Sequence, residues 1–374
     1  MLEKLKQTLL GRKETGPFRV PGQITDETRI LALASSDLAD LVFHAPMLAA
    51  IRRRWPGANI DFLVPEQFAP LIIPSGMARQ VMVYTEKQLS GWKPAFRNLQ
   101  RTLAGGKYDV SFVLTMEPSP ALESLALASG AVLRCGPSHS DSWPAVNLEL
   151  RGKKDEPGYV GDHTRILAPF LGLESHHMPT AWPLPLDKLR QVAQLVHFNK
   201  PRPEEILVGI DPGPDRDGRA LSADNLLFLV QQLRTQLPCR ILPLGVPGSE
   251  DRLAQLEAGL TSPIPPAFNR DTLLETVLLL YQCDLFLAGN TDLFHMAVAE
   301  NVPTIGLFGK HVEARWHPQD RRRCTILPVA KGEKVDIATL MDAVQSVRRS
   351  DDDDTPDFER QSGPVDGPLP APGS

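Results

Sequence analysis

Residues 281–318 read YQCDLFLAGNTDLFHMAVAENVPTIGLFGKHVEARWHP. Leu285 to Ala288 is a short apolar run, which predicts a strand. Gly289 to Asp292 predicts a tight turn. Leu293 to Glu300 predicts a helix, stopped by Asn301 and Pro303, and Thr304 to Phe308 predicts a second strand ending at Gly309. A strand, a crossover helix and a strand in so short a span make a βαβ unit, which calls for a parallel sheet. The turn joins the C-terminal end of a strand to the N-terminal end of a helix. Unpaired backbone N–H groups and the helix dipole there favour an anion such as a diphosphate. Thr291 and Asp292 suit the N-cap region, and His295 lies in the first helical turn, facing the same crevice. Gly309-Lys310 opens a second loop onto the same edge. An ordinary capped helix with a surface histidine presents the same pattern, so the stretch establishes a fold class before a function.

Upstream, the same grammar repeats. Ile206 to Ile210 predicts a strand that runs into DPGPDRDGRALS, a glycine- and proline-rich loop in which Arg219 precedes a helix capped at Ser222. A guanidinium there is suited to clamping a diphosphate, and equally to being a surface arginine. Cys239 to Leu244 predicts the next strand. Glu250 follows it at a helix start, where an acid can bind ribose hydroxyls or simply complement the helix dipole. Leu273 to Tyr281 predicts the helix that leads into the opening stretch.

A first α/β domain precedes this one. Ile30 to Ala34 and Ile60 to Val64 predict strands on either side of a helix carrying Val42, Leu48 and Ile51. Asp40 falls in the strand-to-helix region, on the edge where open α/β sheets bind ligands; a carboxylate there can act as a general base or as a helix-start acid. Arg52-Arg53-Arg54 reads as a solvated helix end. Further strands are predicted at 79–84, 110–114 and 132–135, with helices at 92–103, 121–128 and 163–171 and an exposed loop over 138–158. His176-His177 has no partner at metal-ligand spacing and reads as linker. The division expected is an N-terminal extension (1–28) with Leu2, Leu5 and Leu9 at helical spacing, a first domain (29–185), a second domain (186–349) and a disordered acidic, proline-rich tail (350–374).

A chain of 374 residues is long enough for two cores. A formal net charge of −5 argues against a general nucleic-acid binder. Four scattered cysteines without a C-x-x-C pair suggest neither a zinc site nor a disulfide framework. No apolar run spans a bilayer and the first residues do not form a signal peptide, so a cytoplasmic location is expected. No G-x-G-x-x-G opens either domain, which argues against a dehydrogenase.

The motifs together resemble glycosyltransferase family 9, the ADP-heptose lipopolysaccharide heptosyltransferases, over residues 29–348. Ser36-Asp37-Leu38-Ala39-Asp40 with Pro46, RRRWPGANIDFLV, KYDVSFVL, HTRILAPFLGL, DPG…GRALS, PLGVPGSED and above all GNTDLFHMAVAENVPTIGLFGKHVEARWHP carry the resemblance. It implies a GT-B fold, two Rossmann-like domains facing across a cleft, with an acceptor domain first and a nucleotide-sugar donor domain second. It implies an inverting, metal-independent and cofactor-free transfer of heptose or a similar sugar from a nucleotide-diphosphate donor, ADP-linked in the family, to a lipid-linked or surface-glycan acceptor. It also implies work at the inner face of the inner membrane. Asp40 would be the base. Arg219, Thr291 and the amides after it would hold the diphosphate, Glu250 the nucleoside, and His295, Asn290, Asp292 and Lys310 would line the donor pocket. The sequence departs from the family at several places. Asn290 stands where the family has a donor-binding Asp, Asp292 where it has Gly, Ala34 where it has Arg or Lys, Ala39 where it has Gly, and Lys310 where Pro is common. An altered donor turn leaves a second reading open, a non-catalytic GT-B scaffold in a glycan-assembly complex.

Overall fold

The computed structural model describes residues 19–349, apart from 21, 90–92, 151–157, 167–170, 173–181, 200–203, 214–222, 261–263, 266–267, 311, 319–321 and 331–334. The expected N-terminal helix, the acidic tail, His176-His177, Ser222 and Arg219 lie outside the described residues.

Two parallel sheets organise the chain. The first contains β1 (Arg29–Ala34), β2 (Asn59–Pro65), β3 (Gln80–Tyr84), β4 (Val110–Leu114), β5 (Leu133–Pro137) and β6 (Leu148–Leu150), in the order β3-β2-β1-β4-β5-β6. The second contains β7 (Ile206–Asp211), β8 (Cys239–Pro243), β9 (Leu285–Ala288), β10 (Thr304–Gly309) and β11 (Cys324–Val329), in the order β11-β10-β9-β7-β8. Every pairing is parallel. The central strands are buried along their whole length, β4, β7 and β9 without interruption. That is why they read as continuous apolar runs rather than alternating ones: helices cover both faces of a parallel sheet.

The longer helices are α1 (Leu38–Arg54), α2 (Pro94–Ala104), α3 (Pro120–Ala128), α4 (Leu186–Asn199), α5 (Ala223–Gln236), α6 (Glu250–Ala258), α7 (Leu273–Tyr281), α8 (Asp292–Ala299) and α9 (Ile337–Arg349). Two expectations need correction here. The stretch 138–158 is not all loop, because Leu148–Leu150 adds an edge strand to β5; three residues of such mixed polarity carry no periodic signal. Of the helix expected over 163–171, residues 167–170 lie outside the described residues and the start lies in a 3-10 segment, Val160–Ile166, pinned by Thr164, whose hydroxyl donates to the Phe43 carbonyl at 2.6 Å.

α1 is buried on every side from Leu38 to Leu48, with Pro46 in its interior and its polar Asp40 and His44 buried too. A helix buried all round must be covered by neighbours on both sides. One side lies on the first sheet and the other meets α8 of the second domain, so a single hydrophobic cluster runs from Leu38 and Leu41 through to Leu293, Phe294 and Met296. The solvated reading of the basic run holds for Arg53 and Arg54, which are exposed, but not for Arg52, which is half-buried: its guanidinium donates to the carbonyls of Pro56 (3.0 Å), Ala58 (2.8 Å) and Met77 (2.6 Å), tying the helix end to the β2 and β3 approaches. Hydrogen bonds from a charged group are worth about 1.5–3 kcal/mol, and Arg52→Ala is expected to lose stability of that order in urea unfolding.

Trp182, 1% exposed, donates its backbone N–H to Glu300 Oε1 at 2.8 Å. Glu300 follows the last turn of α8 and is itself 7% exposed. Burial pushes its carboxyl up to about 8, and the Trp182 N–H only partly offsets this.

Candidate active site

Sheet order decides where the site lies. In the first sheet the connection reverses direction between β1 and β4, and in the second between β7 and β9. At such a switch point the loops leave in opposite directions and open a crevice at the carboxyl ends of the strands. Asp40 and Thr291 sit at these two crevices, which face each other.

Asp37 caps α1: its side chain accepts from Ala39 N at 3.0 Å. Asp40 is therefore in the first helical turn, 6% exposed, rather than in the preceding loop. Its Oδ2 accepts from the Ser35 hydroxyl at 2.7 Å, and its Oδ1 accepts from Met116 N at 3.0 Å. Ser35 follows β1 and Met116 follows β4, so the carboxylate bridges the switch point. Burial and the neighbouring Asp37 charge raise its pKa to about 6, against the lowering effect of Ser35, Met116 and Thr115. His44, one turn on, holds the Asp40 backbone through its carbonyl at 2.6 Å.

Across the interface, Thr291 is the N-cap of α8. Its hydroxyl oxygen accepts from Phe294 N at 3.3 Å, as the Gly-Asn-Thr-Asp turn predicts. Asp211, the buried last residue of β7, accepts from Gly213 N at 2.7 Å. Burial pushes the Asp211 carboxyl up to about 6. Asn290 Oδ1 lies 2.9 Å from His295 Nε2. His295 is fully buried, packed among Phe43, Phe294, Tyr159 and Trp316, and its Nδ1 lies 2.8 Å from the Tyr159 hydroxyl.

Asp292, the first residue of α8, crosses the interface. Its Oδ2 accepts from Leu38 N, the first amide of α1, at 3.2 Å. A carboxylate at a helix N-terminus is favoured by the unpaired amides and the dipole. The start of α1 and the start of α8 are thus in direct contact. Arg315, stacked on Trp316, makes an exposed cross-domain pair with Glu117 at 3.4 Å, worth little by itself.

Glu250 and Lys310 lie apart from this cluster. Glu250 is exposed at the start of α6, held below the usual carboxylate range by the Gly248 N–H, where Gly248 takes a positive φ of 99° that a side chain would resist. It lines a cleft of about 860 Å³ with Phe268, Ile264, Pro265, Arg270 and Asp271. Arg252 of α6 donates to the Pro212 carbonyl at 3.0 Å, joining this wall to the Asp211 end of β7. Lys310 is exposed at the end of β10.

Sequence reasoning missed Asp211, Tyr159, Ser35 and Met116. Asp211 had a signal, since it closes an apolar strand just before Pro-Gly. Tyr159 had none, because it sits in a polar stretch far from α8 in the chain. Among the described residues no group of His, Cys, Asp or Glu is arranged to hold a metal ion, and no helix is long and apolar enough to cross a membrane.

The family model of glycosyltransferase family 9 (heptosyltransferase) matches residues 96–343. A putative glycosyltransferase of Haemophilus influenzae is 24% identical over 309 residues, which cover 78% of this chain and 86% of that protein. The glycosyl transferase family 9 structure from Veillonella parvula superposes with a TM-score of 0.69 at 16% identity, over 88% of this chain and 99% of that one. The E. coli ADP-heptose lps heptosyltransferase II gives 0.65 at 16% identity, over 87% and 100%. E. coli heptosyltransferase WaaC, solved with ADP, gives 0.63 at 16% identity, over 85% and 99%. At these identities the solved structures share the fold, two α/β domains of GT-B type.

Proposed function

The chain belongs to glycosyltransferase family 9, and from that premise we propose that it moves heptose or a similar sugar from a nucleotide-diphosphate donor to a hydroxyl of a lipopolysaccharide-type or other surface-glycan acceptor, with inversion and without a metal. The observation that carries this is the contact between α1 and α8 through Asp292 and Leu38, which sets a buried carboxylate, Asp40, beside the donor-side helix N-terminus.

Asp40 takes the proton of the acceptor hydroxyl. The oxygen forms its bond to the anomeric carbon as the bond to the diphosphate breaks on the opposite face. A base with a pKa near 6 matches this task at neutral pH, being mostly ionised yet still basic. The α8 amides after Thr291 receive the charge that develops on the leaving diphosphate, and Arg219 supplies a further cation. Glu250 and the cleft along α6 take the nucleoside. Domain approach supplies the remaining catalysis by holding the reactants in line. Asp40, Asn290 and Thr291 are all less than a tenth exposed, so substrates enter by opening the interface.

The test is a thermal-shift series with ADP, UDP, GDP, CMP and ADP-heptose. Ligand that binds only the folded state raises the melting temperature, by about 2.7 kcal/mol of stabilisation at a hundredfold excess over Kd. A shift with one nucleoside diphosphate and its sugar supports the donor assignment. No shift with any of them, and no product from any acceptor, returns the protein to the scaffold reading that the altered Asn290-Thr291-Asp292 turn motivates.

A further inference from the structure

We infer that Tyr159 is a positioning residue of the donor site: through His295 it fixes the Asn290 carboxamide so that its N–H₂ group, not its oxygen, is offered to the donor. This rests on the donor-site reading above and adds to it the polarity of the group that Asn290 meets.

A carboxamide oxygen carries no hydrogen. Asn290 Oδ1, 2.9 Å from His295 Nε2, must therefore accept, and Nε2 must carry the proton. An imidazole with its proton on Nε2 leaves Nδ1 as an acceptor, and the Tyr159 hydroxyl, 2.8 Å away, donates to it. The chain of donation runs from Tyr159 in the first domain, through His295 in α8, to Asn290 in the turn. Ring packing holds the imidazole plane: Phe43 lies at 5.1 Å and Phe294 at 5.1 Å, both edge-on, and Tyr159 stacks at 5.8 Å. Asn290 is 2% exposed, and among the described residues its Nδ2 has no hydrogen-bond partner. It stands one residue before the N-cap of α8, where the free amides favour an anion. The ligand group facing Asn290 is thus an oxygen that only accepts hydrogen bonds, which among the donor's groups is one on the diphosphate. Tyr159 reaches His295 only when the domains are together, so the polarity of the site is set by closure.

Two measurements test this on the full chain. In protein carrying ¹⁵N-labelled histidine, with His295→Gln used to assign the signals, His295 is expected as a single Nε2–H tautomer. In Tyr159→Phe it is expected to become a mixture, at a melting temperature within a few degrees of the parent. An Nδ1–H tautomer in the parent, or no change in Tyr159→Phe, overturns the inference. In calorimetry with ADP and ADP-heptose, and with UDP and UDP-glucose, Asn290→Asp puts a carboxylate oxygen in place of the N–H₂. It is expected to weaken the ligand that binds the parent by at least tenfold. Weakening of the bare nucleotide and its sugar alike is the expected result, because a diphosphate oxygen cannot donate to the new carboxylate; weakening of the sugar form alone overturns the inference. Unchanged affinity for both overturns the inference. A parent protein that binds none of the four removes the donor reading, while the imidazole spectrum still decides the role of Tyr159.

Discussion

Asp40→Asn is expected to lower sugar transfer by roughly 10²–10⁴-fold, the range over which positioned general bases contribute. Asn keeps the shape and can still meet Met116 N and the Ser35 hydroxyl, so, if the donor binds the second domain as proposed, nucleotide affinity is expected to stay within about threefold. The pH dependence follows from the same group. Transfer requires the ionised carboxylate, whose pKa is raised to about 6, so kcat/KM for the parent enzyme is expected to rise tenfold per pH unit below about 6 and to level off above it. Ser35→Ala removes a hydrogen bond that favours the charged form, and it should move that midpoint upward. A parent-like rate in Asp40→Asn would remove Asp40 from the mechanism. A flat profile between pH 5 and 7 would mean that the proton is taken elsewhere.

The second large effect concerns stability. Glu300 is pushed from the ordinary 4.5 up to about 8 in the folded protein. A carboxyl whose folded value is raised contributes its full relative stability below about pH 4.5 and loses it as pH rises through about 8. At about 1.4 kcal/mol for each tenfold difference in ionisation between the states, the total is on the order of 5 kcal/mol. Glu300→Gln retains an acceptor for Trp182 N and cannot ionise. The difference in unfolding free energy between variant and parent is therefore expected to grow from near zero at pH 4.5 to several kcal/mol in favour of Gln by pH 8. Asp40 and Asp211 are also raised, and comparing the two proteins at each pH cancels their shared contribution. A difference that does not change with pH would mean that Glu300 is hydrated in the folded state.

The family's shared GT-B scaffold explains why the first of these effects can be placed at all. Asp40 and the Asn290-Thr291-Asp292 turn lie on separate domains, more than two hundred residues apart in the chain, and meet because α1 is buried between the first sheet and α8. Asp292 shows the consequence. As a departure from the family's glycine it reads as bulk and negative charge beside a diphosphate. In the fold its carboxylate accepts from Leu38 N and lies against the partner helix's positive end.

Local sequence determined the elements and their order. The β9–α8–β10 unit was legible nearly to the residue, because apolar runs of strand length, a Thr N-cap and an Asn-Val-Pro stop are all short-range signals. Asp40, Thr291 and Glu250 were legible as candidates for the same reason: each stands where a strand hands over to a helix. Arg52 was misread, since a guanidinium at a helix end looks solvated until the carbonyls of Pro56, Ala58 and Met77 converge on it. Tyr159 was invisible, and so were the raised carboxyls of Asp40 and Glu300. Burial, and the partner that a side chain finds across an interface, depend on which surfaces the two domains bring together. Those contacts join residues far apart in the chain, and no local pattern of residue types encodes them.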